Sequence, residues 1–331
     1  MEKDLKKNYF ILEIASSHNG SVKRLKKIFN IALNSEADFI KLQLFKNKYL
    51  NHKYNPLFKK LKKIEIDFKT WESLLKIKTK KKIILEPFDE QSYSFCKKFS
   101  KKVHIKISSA EQDNNFLIKD ALKNFNKVFI NVSGYNEKSI INFIKKFKKY
   151  KKKIVFMYGY QAYPTQIKDL RFSFLKYLNT FNIQTGYADH SCYKKIYETY
   201  LATEKALNMG VRYIEKHICI SYKEKYPDYQ SSFDIFDFNN YVKFFKKKIF
   251  SYKKKIPIKE KKYCQVMNKF AVLNETVTKR EKINLKKIIF LRTEKTGLKR
   301  SEIYNLIKFK YYYNKKIDVN EMLTKKFFSK K

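Results

Sequence analysis

The chain of 331 residues has room for one large domain and one small one, and its 44% hydrophobic and 17% aromatic content is that of a folded globular protein. A formal net charge of +44 raises nucleic-acid binding, but the surplus is lysine: arginine, whose planar fork reads phosphates and base edges, occupies six positions, so the charge is read as compositional drift with no nucleic-acid partner expected. No run approaches the roughly 18 apolar residues of a membrane span, the N-terminal MEKDLKKNYF has no apolar leader core, and Cys96, Cys192, Cys219 and Cys264 form no C-x-x-C pair, so a cytoplasmic protein with reduced thiols and no membrane partner is expected.

From residue 9 to about residue 217, short β-branched and aromatic runs alternate with longer amphipathic stretches, the pattern of repeated βα units. Strands are predicted at 9–15, 39–44, 83–86, 103–107, 128–132, 154–158, 183–188 and 213–217, with helices such as 22–34, 137–148 and 193–208 between them. Eight such units make an α/β fold of the (β/α)8 TIM-barrel type. An open doubly wound sheet would carry a glycine-rich turn after its first strand, whereas this chain reads EIASSHNGSVK there. An eighth helix is predicted at about 237–250, which ends a barrel domain of residues 1–250. Residues 251–268, with Pro257 and a dense charge run, read as a linker. Residues 269–331 form a small second unit whose short apolar runs, FAVLN, KIIFLRT and YYYNKKI, are expected to lean on the barrel or on another subunit.

Barrel enzymes gather their chemistry at the C-terminal ends of the strands, and polar residues stand at nearly every predicted end. They are Glu13, then Lys41 and Gln43, Glu86, Lys106 with Ser109 and Glu111, Ser133, Gln161 and Tyr163, Asp189 and His190, and finally Glu215 and His217. His190 and His217 fall on adjacent predicted strands, where two imidazoles beside a carboxylate such as Glu13 suit Mn²⁺, Zn²⁺ or Fe²⁺ better than Ca²⁺. Lys41 and Lys106 lie within strands, where an inward ammonium is costly unless it meets an anion; the alternative is an outward surface lysine. Their settings, DFIKLQLF and HIKISSAE, place hydroxyl and amide groups beside each lysine, as a phosphate or carboxylate site needs.

The runs LEIASSHNG (12–20), ADFIKLQLF (37–45), EPFD (86–89), HIKISSAEQDN (104–114), INVSGY (130–135), AYPT (162–165), GYADH (186–190) and IEKH (214–217) follow in an order and spacing that resembles the sialic acid synthase family. From Lys269 onward the chain resembles that family's antifreeze-like (SAF) domain, with KIIFLRTEKTG in place of an Arg-Pro-Gly-containing segment. The resemblance implies condensation of phosphoenolpyruvate with an amino-sugar aldehyde such as N-acetylmannosamine, giving N-acetylneuraminate. A sibling reaction on a 6-deoxy diacetamido hexose, giving a legionaminic- or pseudaminic-type acid, is the alternative. It also implies that His190 and His217 hold a divalent metal, Mn²⁺ in the first instance with Mg²⁺ or Co²⁺ as substitutes. Glu13 and Glu111 become candidate acids or bases. Lys41, Lys106, Ser109 and Ser133 would hold phosphoenolpyruvate, Gln43, Glu111, Tyr163 and Asp228 would face the sugar, and Gln161 is a further substrate-binding residue. Arg292 would reach a neighbouring subunit's site, since the resemblance implies a homodimer in which the small domain caps the partner's barrel. Three departures stand out: Glu86 where a hydroxyl residue is common, Gln161 where Asn or Ser is common, and Ala188 where Ser is common.

Overall fold

The computed structural model describes residues 8–246, 263, 267–293 and 296–330. Eight parallel strands pair in sequence order: β1 (Tyr9–Glu13), β2 (Phe39–Leu44), β3 (Lys82–Pro87), β4 (His104–Ile107), β5 (Val128–Asn131), β6 (Ile154–Tyr158), β7 (Gln184–Asp189) and β8 (Tyr213–Ile218). β8 pairs back onto β1, with Glu13 beside His217, so the sheet closes into the expected (β/α)8 barrel and leaves no edge. β1 ends at Glu13 rather than at residue 15, because Ala15 turns to a φ of 44° and donates its N–H to the Glu13 carboxylate at 2.6 Å. A further short strand, β9 (Ser232–Phe233), pairs parallel with the end of β8 and has no counterpart in the sequence reading.

Alternation along the strands separates two environments. Ile11, Phe39, Ile84, Phe129, Val155 and Tyr213 fill the barrel interior towards the N-terminal strand ends. Their neighbours Phe10, Leu12, Ile40, Leu85, Ile105 and Ile130 point outward into the larger core beneath the helices. The inward series continues upward as Glu13, Lys41, Gln43, Glu86, Lys106, Asn131, Glu215 and His217, so one rule of alternation both fills the barrel and loads its mouth with polar groups.

Side-chain caps set where the helices begin. Ser21 caps Val22–Leu33, Asn136 caps Glu137–Phe147 and Asp234 caps Ile235–Phe245, each accepting a backbone N–H of the first turn. The last of these starts the eighth helix two residues before its predicted position. The stretch predicted as helix from 193 opens as a 3-10 turn, Tyr193–Lys195, and turns α-helical over Ile196–Asn208. Residues 247–250 of the eighth predicted helix, residues 251–262 of the linker and Cys264 lie outside the described residues. No helix among the described residues is long and apolar enough to cross a membrane.

The small unit pairs β10 (Lys269–Leu273) antiparallel with β11 (Ile288–Arg292), adds a helix at Arg300–Lys308, and pairs β12 (Tyr312–Tyr313) with β13 (Phe328–Ser329). It has its own core, in which Ala271, Leu273, Val277, Ile303, Tyr313 and Leu323 are buried together. It also leans on this chain's own barrel, one of the two placements expected for it. Lys269 pairs with Glu111 at 2.7 Å, Arg300 with Glu90 at 2.7 Å, and the ring of Tyr304 lies 4.4 Å from that of Phe116.

Glycine is scarce here, and left-handed turns fall to Arg280, Lys310 and Asn320, with φ of 67°, 56° and 69°. Lys310 follows the helix Arg300–Lys308 in a Schellman arrangement, its N–H bonding to Ile307 O and that of Tyr311 to Leu306 O. After the barrel helix Ile196–Asn208 the same position is Gly210. A side chain in the left-handed region costs about 1–2 kcal/mol, against about 0.5–1 kcal/mol of extra chain entropy for glycine. Lys310→Gly is therefore expected to stabilise the small unit by about 0.5–1 kcal/mol, read as a higher denaturant midpoint; a lower midpoint would contradict it.

Candidate active site

At the C-terminal mouth of the barrel a cavity of about 250 Å³ is lined by Lys41, Gln43, Glu86, Lys106, Ser109, Asn131, Gln161, Tyr163, His190, Glu215, His217, Asp228 and Arg292. β2, β3, β4, β5 and β8 deliver their residues by alternation, and the loops after β4, β6, β7 and β8 add Ser109, Gln161, Tyr163, His190 and Asp228.

The floor is a buried charge network. Glu215 accepts from Lys106 Nζ at 2.8 and 2.9 Å and from Lys41 Nζ at 2.8 Å. Lys41 also contacts Glu13 and bonds Glu86 at 2.7 Å, and Gln43 Nε2 donates to the same Glu86 oxygen at 3.2 Å. Burial would raise the Glu215 carboxyl, but Lys106 and Lys41 outweigh it and hold Glu215 well below the usual carboxylate range. Burial would likewise lower Lys106, yet Glu215 and Glu86 raise it above its ordinary value. Both lysines face inward, as a paired ammonium can, and neither is a surface residue.

Two histidines form the opposite wall. The rings of His190 and His217 lie 5.4 Å apart between centroids, and Tyr163 packs against both, at 4.3 and 5.8 Å. Burial lowers His190 to about 4 and His217 well below its usual value, so both imidazoles are neutral near pH 7. His190 Nδ1 lies 2.7 Å from Tyr160 O, which assigns its N–H to that carbonyl and leaves Nε2 with a lone pair. His217 Nδ1 is buried without a hydrogen-bond partner. Among the described residues no cluster of three or more His, Cys, Asp or Glu could hold a metal. At the rim, burial raises the carboxyl of half-buried Asp228. Buried Arg292 is pinned through its carbonyl, which accepts from His52 N and Asn55 Nδ2, each at 3.4 Å, while its Nε has no hydrogen-bond partner.

Three expected residues are not brought to the cavity surface. Glu13 is fully buried beneath Lys41. Ser133 Oγ donates to Gly159 O at 2.6 Å and lies under Gln161, whose Nε2 bonds it at 3.2 Å. Glu111 is turned away into its pair with Lys269 and a 2.7 Å bond from Asn114 Nδ2. Arg292 does reach a barrel mouth, but that of its own chain. Asn131 lines the cavity without having been predicted, although alternation along Phe129, Asn131 carries the signal, while Glu215, predicted only as a strand-end acid, bridges both lysines. Lys269 had no such signal, since its partner is distant in sequence.

A closed barrel with a polar, loop-rimmed cavity over buried lysines defines a (β/α)8-barrel enzyme. Residues 28–257 match the NeuB family, and the chain belongs to it. It is 27% identical over 256 residues to the N,N'-diacetyllegionaminic acid synthase of Campylobacter jejuni, spanning 70% of this chain and 73% of that one. It is 26% identical over 255 residues to a pseudaminic acid synthase of Campylobacter jejuni, spanning 72% of each. The fold is similar to that of a spore coat polysaccharide biosynthesis protein of Bacillus subtilis, with a TM-score of 0.79 and 16% identity over 100% of this chain and 99% of that one. It is also similar to an N-acetylneuraminic acid synthetase of Leptospira borgpetersenii, with a TM-score of 0.64 and 21% identity over 73% of this chain and 86% of that one.

The Lys269–Glu111 pair makes a testable statement about the clamp between the two units. Burial would raise Glu111, but Lys269 and then Arg300 bring it below its ordinary value. Its stabilisation is therefore present above the unfolded carboxylate value and lost as pH falls through the lower folded one. Lys269→Met leaves a buried carboxylate without its ammonium and is expected to cost about 3–5 kcal/mol at pH 8, and much less at pH 4 where Glu111 can take up a proton. Thermal unfolding at the two pH values reads the difference; an equal loss at both would show that the pair is not what holds the units.

Proposed function

We propose that this chain is a nonulosonic acid synthase that joins phosphoenolpyruvate to an open-chain N-acylated amino-hexose and releases phosphate. The observation that carries this reading is one cavity with a two-lysine anion seat on its floor and two neutral, adjacent imidazoles on its wall. The activities named for the two Campylobacter relatives favour a 6-deoxy diacetamido hexose as acceptor, with a legionaminic- or pseudaminic-type product, over N-acetylmannosamine.

Lys41, Lys106, Ser109 and Arg292 would bind the anionic groups of phosphoenolpyruvate, and the unpaired Nε of Arg292 offers a donor at the rim. Gln43, Gln161, Tyr163 and Asp228 would orient the sugar so that its aldehyde carbon meets the enol carbon, which turns a bimolecular encounter into a positioned one. Ser133 supports this wall from behind, through Gln161. His190 and His217 fit a divalent cation, Mn²⁺ or in its place Mg²⁺ or Co²⁺, because both are neutral and one carries an orphaned buried nitrogen. When bound, such a cation stabilises negative charge on the former aldehyde oxygen. Bond formation at the methylene carbon of phosphoenolpyruvate leaves its phosphate-bearing carbon as an oxocarbenium; water must add to that carbon before phosphate departs, and the proton it sheds needs an acceptor. Glu13 and Glu111, held by Lys41 and Lys269, do not reach the cavity; of the carboxylates that line it, Asp228, whose carboxyl burial raises, would suit this role.

The free thiols of Cys96, Cys192 and Cys219 support a cytoplasmic location. The likeness of the small unit to an antifreeze-like (SAF) domain and the assembly into a homodimer belong to the same proposal. Since Arg292 lines its own chain's cavity, an exchange of caps is not needed to complete the site.

The test is phosphate release from phosphoenolpyruvate by Mn²⁺-loaded protein, with a diacetamido-trideoxyhexose and with N-acetylmannosamine in separate assays. Release with the former, abolished by a chelator, is expected; silence with both sugars in folded, metal-loaded protein overturns the reading. His190→Ala and His217→Ala should each reduce turnover by about 100-fold or more. Normal turnover of either at limiting metal would remove that histidine from the site.

A further inference from the structure

Glu86 is the acid that the charge network does not require. Glu13 and Glu215 already supply one carboxylate for each of the two lysines, with Glu215 bonded to both. Glu86 adds a third: Oε2 lies 2.7 Å from Lys41 Nζ and 3.2 Å from Gln43 Nε2, and Oε1 lies 3.8 Å from Lys106 Nζ. Three carboxylates against two ammoniums leave the floor with one net negative charge, in a cavity proposed to receive a highly charged anion. Of the three, Glu13 lies beneath the cavity, whereas Glu86 lines it on the side where Lys41 and Gln43 present their donors.

We propose that Glu86 is a built-in occupant of the anion seat. Its carboxylate takes the donors of Lys41 and Gln43 that an incoming phosphate or carboxylate group would use, and it must withdraw from them before that group can bind. Glu86 thereby sets the affinity for phosphoenolpyruvate without taking part in bond making. The inference rests on the function proposed above, but the seat can be tested apart from turnover. A structural counterion for Lys41 would behave differently, since Lys41 keeps Glu13 and Glu215 when Glu86 is neutral.

Two like charges a few ångströms apart in a partly shielded cavity repel by enough to change affinity about tenfold or more. The experiment compares wild type with Glu86→Gln and Glu86→Thr, using calorimetric titration with phosphoenolpyruvate and with inorganic phosphate, and then KM and kcat with the accepted sugar. Glu86→Gln keeps the side-chain shape; Glu86→Thr removes the reach as well, and melting curves check that each folds. The expected result is at least about tenfold tighter binding of phosphoenolpyruvate to both variants, with KM falling alongside and kcat changing far less. Unchanged or weaker binding to folded variants overturns the proposal, as does a collapse of kcat in both, which would make Glu86 part of the chemistry. Tighter phosphoenolpyruvate binding with no turnover on either sugar would uphold the occupied seat while rejecting the proposed acceptors.

Discussion

Two ammonium groups inside a barrel cannot remain charged unless carboxylates meet them there, and that requirement ties the fold to the site. Lys41 comes from β2 and Lys106 from β4; their partners Glu13, Glu86 and Glu215 come from β1, β3 and β8. Only closure of β8 onto β1 brings Glu215 to Lys41. An opened barrel would strand charges away from both water and partners, at several kcal/mol for each ion. The aromatic floor of Phe39, Phe129 and Tyr213 fills the lower interior, so the charges are confined to the layer that borders the cavity. Folding and assembly of the charge network are therefore one event.

The exterior works in the opposite electrical sense. A formal net charge of +44 surrounds a floor that carries a negative excess. Long-range attraction brings anions towards the protein and falls off with salt over roughly 10 Å. Retention is decided by the few side chains at the mouth, where Lys41 and Lys106 are already engaged and Arg292 keeps an unpaired donor. High net charge thus speaks to encounter, and the arrangement of Glu86 speaks to occupancy.

Much of this was legible because a strand has a period of two and a barrel has one inside. His190 and His217, 27 positions apart, meet because β7 and β8 are neighbours, and the predicted strand order already made them so. Lys41, Gln43 and Lys106 follow from the same periodicity. It failed where side chains choose partners across units. Glu111 ends a loop at the right height, yet Lys269 claims it from a segment whose position no barrel rule describes. Arg292 lines the cavity of its own chain. Glu215 follows from the same alternation as His217, but spacing alone does not show that it bridges Lys41 and Lys106, which lie on two other strands.

The contacts that hold the small unit to the barrel are mostly polar. Among the described residues they include the Lys269–Glu111 and Arg300–Glu90 pairs, Lys269 Nζ on Phe88 O, the backbone of Arg292 against Asn51, His52 and Asn55, and an aromatic contact between Phe116 and Tyr304. The small unit meanwhile buries its own apolar cluster. Parting the two would leave Glu111 without its cation and take Arg292 from the rim. Charge matching is thus one of the forces that hold this interface. The arginine that completes the cavity is thus carried on a part of the chain whose attachment depends on a buried ion pair just outside that cavity, so cap attachment and completion of the anion site share a single electrostatic cause.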